Sequence, residues 1–275
     1  KGSLTEGENM PAGVVTHLYL KNLKPSDKVQ LVYTSMAGDT LAHFSTDATE
    51  PKEKLALKTG GNTHVWDTRG EGAERLKGMI LWWANLSGPK AVPGSYKVHL
   101  NHNGATQSAS FEILADPRAE ASVAEMQGQY DFISEINATV NKAHTAIKKI
   151  NSINEKLSAF ETQYKDDASV VDLVKQSKEL RERFSTVEKA LYQTQNRSGQ
   201  DPLNFPIRLT NKLAHLNSLV ALDDFGPTEQ DRAVQQELSI AIEAELKTFD
   251  ALVAQEIETF NKAFNDKQLK FLQLD

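Results

Sequence analysis

Residues 122–164, SVAEMQGQYDFISEINATVNKAHTAIKKINSINEKLSAFETQY, decide the fold. Their apolar positions are Val123, Met126, Tyr130, Ile133, Ile136, Val140, Ala143, Ile147, Ile150, Ile153, Leu157, Phe160 and Tyr164, separated by steps of three and four. Such steps average near 3.5 residues and keep the stripe on one side of a helix for about 40 residues, roughly 60 Å at 1.5 Å per residue. A helix that long needs partner helices along its stripe. Ser122 followed by Glu125 has the spacing of a capping box, and Asp116-Pro117 marks where the chain leaves whatever precedes the helix.

Working forward from this stretch, the 3.5-residue rhythm persists. A second helix is expected over Ser169–Thr194, with Leu173, Leu180, Phe184, Val187 and Leu191 on one face. Ser198-Gly199, Asp201-Pro202 and Pro206 break the chain before a third helix near Ile207–Leu222. After the break at Asp223–Pro227, Thr228 with Asp231 resembles a cap. A last helix follows to about Asn265 along Val234, Leu238, Ile242, Phe249, Val253, Ile257, Phe260 and Phe264. Four helices joined by tight breaks make an antiparallel bundle the expectation for 119–275.

Working backward, the period drops to two. Residues 1–12 are polar and read as an extended lead-in; Val14–Leu20, Val29–Thr34 and Thr40–Ser45 read as strands, the last two as a hairpin around Ala37-Gly38-Asp39. A short strand is centred on Val65-Trp66, and the apolar run Gly78–Ala84 is short enough to be a buried strand. Tyr96, Val98 and Leu100 alternate with Lys97, His99 and Asn101, and Asn103-Gly104 turns the chain into Ala109, Phe111 and Ile113. Seven or so short strands without intervening helices point to an antiparallel sandwich of immunoglobulin or fibronectin type over 1–118. The chain is thus expected to be an α+β protein of two domains.

At 275 residues, 39% apolar and 25% charged, the composition supports real cores rather than disorder. The first 118 residues carry 13 Lys+Arg against 12 Asp+Glu, and the remainder 18 against 25. An acidic helical region without a basic face argues against nucleic acid, whose phosphates demand clustered cations. No apolar run reaches the 18 residues of a membrane span, so no membrane insertion is expected. The first residues, Lys-Gly-Ser-Leu, lack an initiator Met and a signal-peptide core, so the chain reads as a piece of something longer. Zero cysteines exclude disulfides, thiolate metal sites and a cysteine nucleophile.

No catalytic constellation emerges. His17, His43, His64, His99 and His102 fall in the strand region without ligand spacing, and no metal site or cofactor is expected. The pairs Asp166-Asp167 and Asp223-Asp224 sit at helix breaks, where carboxylates cap. All three tryptophans, Trp66, Trp82 and Trp83, lie in the front region and invite a sugar-stacking hypothesis. If 78–84 is a strand, Trp82 and Trp83 face opposite ways and cannot form one platform, one lying in the core and the other outward. Trp66 reads as a core plug, while Asp67 and Arg69, two apart, lie on one side and either pair or bond the loop backbone. The candidate ligand-binding residues are therefore Trp66, Asp67, Arg69, Trp82 and Trp83.

Asn9-Met-Pro-Ala-Gly-Val-Val15 leading to Tyr19-Leu20, then Val65-Trp-Asp-Thr-Arg69, Gly78-Met-Ile-Leu-Trp82, Gly88-Pro89, Pro93-Gly-Ser-Tyr96, Asp116-Pro-Arg118, Phe205–Leu213 and Pro227-Thr228 occur in an order that resembles a known family. It is the C-terminal region of large exported bacterial proteins named as glycosyl hydrolases with Asp-box (BNR) repeats or as sortilin-like propeller proteins. Met10 stands where a second proline is expected, and Gly70-Glu71-Gly72 replaces a more aromatic turn. The resemblance implies an exported, periplasmic or cell-surface protein whose N-terminal β-propeller holds any hydrolytic site, with this region as a non-catalytic module that packs on it or on another protein. A carbohydrate-binding accessory module is the alternative.

Overall fold

The computed structural model describes residues 5, 7 and 9–270. Of the expected lead-in over 1–12, residues 1–4, 6 and 8 lie outside the described residues. The fold is α+β, with two antiparallel sheets followed by long helices. Six strands are described rather than seven: β1 (Val14–Leu20), β2 (Val29–Ser35), β3 (Thr40–Ser45), β4 (Gly60–Trp66), β5 (Gly94–His102) and β6 (Ala105–Ile113). The helices are α1 (Val123–Gln163), α2 (Val171–Leu191), α3 (Leu209–Val220), α4 (Glu229–Ala251), and α5 (Glu258–Asp266), which continues α4 through π-helical turns at Leu252–Ile257.

The chain packs as two units that are not single stretches of sequence. Among the described residues, a sheet unit comprises those up to 72 with 87–131 and 224–226; a helical unit comprises 73–86, 132–223 and those from 227 on. The change of rhythm near residue 118 thus marks a change of secondary structure, while each unit draws segments from both sides of it.

In the sheet unit, β1 pairs with β4, and a second sheet has the order β3-β2-β5-β6. Asn103 and Gly104, at φ +48° and +84°, form the left-handed pair that a two-residue hairpin needs, and they join β5 to β6. Val29, Leu31 and Tyr33 alternate inward along β2. Tyr33 stacks on Trp66 of β4 at 4.6 Å between ring centroids, and both side chains are fully buried. One core therefore draws on both sheets, completed by Phe44, Phe111 and Leu55. Gly13 admits no side chain, because a Cβ there would lie 2.2 Å from the Trp66 carbonyl oxygen and its φ is +129°.

In the helical unit, α1 buries Ile133, Ile136, Val140, Ala143, Ile147, Ile150 and Leu157, the middle and end of the expected stripe, while Val123 at its start is exposed. The capping box forms as expected: Glu125 accepts from Ser122 N at 2.8 Å and Ser122 Oγ accepts from Glu125 N at 3.3 Å. Thr228 and Asp231 form a second complete box at the start of α4. Along α4 the expected positions Ile242 and Phe249 are buried, whereas Val234 faces solvent.

The expected alternation of direction fails at α3. Ser177 of α2 bonds Glu161 of α1 and Ser185 of α2 bonds Asn154, so α2 runs back along α1. Thr210, at the start of α3, bonds the Leu191 carbonyl at the end of α2, and Asn217 bonds Asn137, so α3 continues in the same direction. Gln235 of α4 bonds Glu135, and Lys142 bonds Glu243, so α4 runs parallel to α1. The breakers between residues 192 and 208 interrupt a descending leg without reversing it, because the 12 residues of α3 extend α2 toward the start of α4.

The run 78–84 is not a strand. Gly78 and Trp83 take φ of +79° and +50°, which no ladder accommodates, and the segment packs in the helical unit with Met79 buried. Its backbone groups pair with helices instead: Ile80 N donates to Tyr192 Oη at 2.8 Å, Trp82 N to Asn211 Oδ1 at 2.7 Å, and Asn85 N to the Ala214 carbonyl at 3.0 Å. Backbone amides need partners, and the Tyr192 hydroxyl just past α2, the Asn211 side chain and the Ala214 carbonyl of α3 supply what a neighbouring strand would have.

Candidate functional site

The sequence-derived candidates separate into two settings. The first is the turn after β4. Trp66 is fully buried, and its indole Nε1 donates to the Arg69 carbonyl at 2.8 Å. Asp67 Oδ1 accepts from Arg69 N at 3.0 Å, an Asx turn that holds Thr68 at φ +66°. Arg69 Nη1 donates to the Gly88 carbonyl at 3.0 Å. Among the described residues Asp67 and Arg69 do not pair with each other; each bonds backbone. Around them, Gly70 N donates to Pro89 O at 2.9 Å and Ala91 N to Thr68 O at 2.7 Å, forming a short ladder between 68–70 and 89–91. Gly88 lies so close to Gly70 that a Cβ would fall 2.0 Å from its carbonyl oxygen. These groups can hold a connection in place: the bonds of Trp66 Nε1, Asp67 Oδ1 and Arg69 Nη1 all end on backbone of that connection, although Asp67 itself is exposed.

The second setting is Trp82-Trp83: one ring does face outward as expected, but the two lie side by side rather than on opposite faces, and the other is not in the core. With no strand to alternate them, the indoles lie nearly parallel, 14° apart with centroids at 6.2 Å. Trp82 is half-buried and Trp83 is 72% exposed, so neither is a core residue. Asn211, itself buried, clamps Trp82 from both sides, accepting from its N–H at 2.7 Å and donating to its carbonyl at 2.8 Å. The Trp83 carbonyl accepts from His215 Nδ1 at 2.7 Å and from Ser218 Oγ at 2.8 Å. The His215 ring lies 6.4 Å from that of Trp83. Asn211, His215 and Ser218 share one helix, α3, at steps of four and three. Sequence reasoning missed all three, since 129 to 135 residues separate them from the tryptophans they hold.

Two histidines are withdrawn from water. His144 of α1 is fully buried; its Nδ1 donates to the Glu74 carbonyl, and its Nε2 has no partner among the described residues. Burial pushes its pKa below the usual 6.5, and so it does for His64 of β4. Asn141 and Lys148, on the same side of α1, bond the Glu74 amide and carboxylate, so three residues of one helix grip the 73–86 segment.

Elsewhere, a cleft of about 320 Å³ lies between the end of β1 and the β5–β6 hairpin, lined by Tyr19, Leu100, His102 and Gln107. At its margin His102 Nε2 lies 3.3 Å from Asp27, whose carboxyl is held below its usual range by hydrogen bonds from Lys24 N, Asn103 and His102. Among the described residues no group of three or more His, Cys, Asp or Glu could hold a metal ion, and no helix is long and apolar enough to cross a membrane. Comparison with protein-family models, curated proteins and solved structures finds no match.

Proposed function

We propose that this chain is a non-catalytic structural and interaction module, the C-terminal part of an exported propeller protein, whose work is to pack on that propeller or on a second chain. The observation that carries the reading is the turn after β4. Its Trp-Asp-x-Arg motif, the part of the resemblance richest in chemistry, spends Trp66 Nε1, Asp67 Oδ1 and Arg69 Nη1 on the backbone of its own connection.

Within this reading the sheet unit is an immunoglobulin-like sandwich. The order β3-β2-β5-β6 matches strands C′-C-F-G, and β1-β4 matches B-E. Tyr96, near the start of β5, donates its hydroxyl to the Val92 carbonyl four residues upstream, as the tyrosine corner at the start of strand F does in such domains. The helical unit is an elongated three-legged bundle: α1 ascends, α2 and α3 descend in turn, and α4 with α5 ascends again.

The reading is tested on the coding sequence ahead of residue 1 and on binding. The upstream reading frame should encode Asp-box repeats, and a separately produced upstream fragment should capture this chain. An upstream frame without a repeat pattern, or turnover of chromogenic glycosides by this chain alone, would sink the reading. A second reading, a carbohydrate-binding accessory module, is favoured by one observation, the exposed indole of Trp83 braced on Trp82.

A further inference from the structure

Trp83 combines properties that do not serve folding. Its indole is 72% exposed, so little of its apolar area leaves water. Its φ of +50° lies in the left-handed region, which Gly or Asn enters more easily. Its carbonyl is nonetheless pinned by His215 and Ser218 at 2.7 and 2.8 Å. A turn required only for packing has no use for an indole at this position. Non-glycine residues held in such conformations concentrate at sites that meet ligands. Trp82 stacks behind at an interplanar angle of 14°, so the Trp83 ring is supported by its neighbour and presented to solvent.

We propose that Trp83 is the stacking platform of a saccharide-binding site that takes one pyranose ring of an oligosaccharide. This rests on the carbohydrate reading above and names its residues. A pyranose presents C–H groups on its face and hydroxyls around its edge, so it needs a flat π surface with hydrogen-bonding groups at the margin. The margin here is polar in the required way. A carbonyl only accepts, so His215 carries a proton on Nδ1, and Nε2, which has no partner among the described residues, is left to bond a sugar hydroxyl. Ser218 Oγ gives its hydrogen to the same carbonyl and keeps lone pairs to accept. Lys212 is exposed three residues ahead of His215 on α3. Leu219 near the end of α3 and Leu222 just past it are 48% and 80% exposed.

The test titrates the intact chain with cellohexaose, chitohexaose, maltohexaose and mannohexaose, following tryptophan emission and heat. The buried Trp66 supplies a background that does not respond. At least one of the four is expected to bind with millimolar or tighter affinity and to shift the emission. Trp83→Ala is expected to weaken that binding at least about tenfold while leaving the melting temperature in place, and Trp83→Phe to retain part of it. Absence of binding by all four sugars up to about 10 mM, or equal affinity in Trp83→Ala, overturns the proposal. So does a dimer in sedimentation that Trp83→Ala dissociates, since the ring would then belong to a second copy. Failure of the sugar titrations leaves the scaffold reading standing, since that reading is tested on what is encoded ahead of residue 1 and on capture by the upstream fragment.

Discussion

Trp66 and Trp83 are 17 positions apart and occupy opposite physical situations. Trp66 ends a strand, is 0% exposed and stacks on Tyr33, and its one polar atom reaches a carbonyl three residues on. Trp83 sits in a left-handed turn, is 72% exposed and depends on a remote helix to hold its backbone. One ring is there because the fold needs its volume; the other is kept in spite of a backbone conformation that costs about 1–2 kcal/mol. Residue type alone therefore does not separate a core plug from a platform. What separates them is whether removing the ring leaves a cavity.

Substitution at the two sites should show this most plainly. Trp66→Ala opens a void in a core shared by both sheets and is expected to cost about 3–5 kcal/mol, read as a lower denaturation midpoint; a loss under about 1 kcal/mol would erase the contrast. Asn211→Ala is next, at about 1–3 kcal/mol, because it strands the amide and carbonyl of Trp82 together. Thermal melting combined with tryptophan emission should show a lower midpoint and a loosened Trp82-Trp83 environment, and an unchanged midpoint would mean that α3 does not hold the segment.

The two withdrawn histidines give a smaller, pH-dependent effect. The folded-state pKa of His144 and of His64 lies below the unfolded 6.5. Each contribution is therefore complete above pH 6.5 and is lost as pH falls, since the unfolded chain takes up a proton that the folded chain refuses. From pH 6.5 to 5.5 the loss is at most about 1.4 kcal/mol per histidine. Denaturation at a series of pH values should show a shallower slope in His144→Asn than in the parent chain. A parallel slope would mean that His144 is protonated where it lies.

Smallest of all, Trp83→Gly should leave the protein as stable or raise its melting temperature by about two to four degrees, since glycine relaxes the left-handed turn and little burial is lost. Marked destabilisation would move Trp83 into the same category as Trp66.

Much of the architecture is legible in residue order. The steps of three and four in 122–164 continue for eleven turns, long enough that no other structure accommodates them, and Ser122 with Glu125 states where the helix begins. Asn103-Gly104 likewise announces its hairpin, because few other pairs enter the left-handed region twice in succession. The run 78–84 misleads because seven consecutive residues with little polarity have no period. Such a run satisfies a buried strand and a clamped loop equally, and the arbiters are Tyr192, Asn211, Ala214, His215 and Ser218, all more than 100 residues away.

The direction of α3 is similar: proline and glycine between α2 and α3 declare a break, and a break does not say whether the chain turns back. Sequence by itself determined the elements whose stabilising interactions are local, because periodicity, caps and tight turns are written within a few residues. Only the tertiary structure decided which backbone groups of 78–84 find partners, how the legs of the helical unit run, and that Trp82 and Trp83 stack, because those depend on donors and acceptors that folding alone brings within 3 Å.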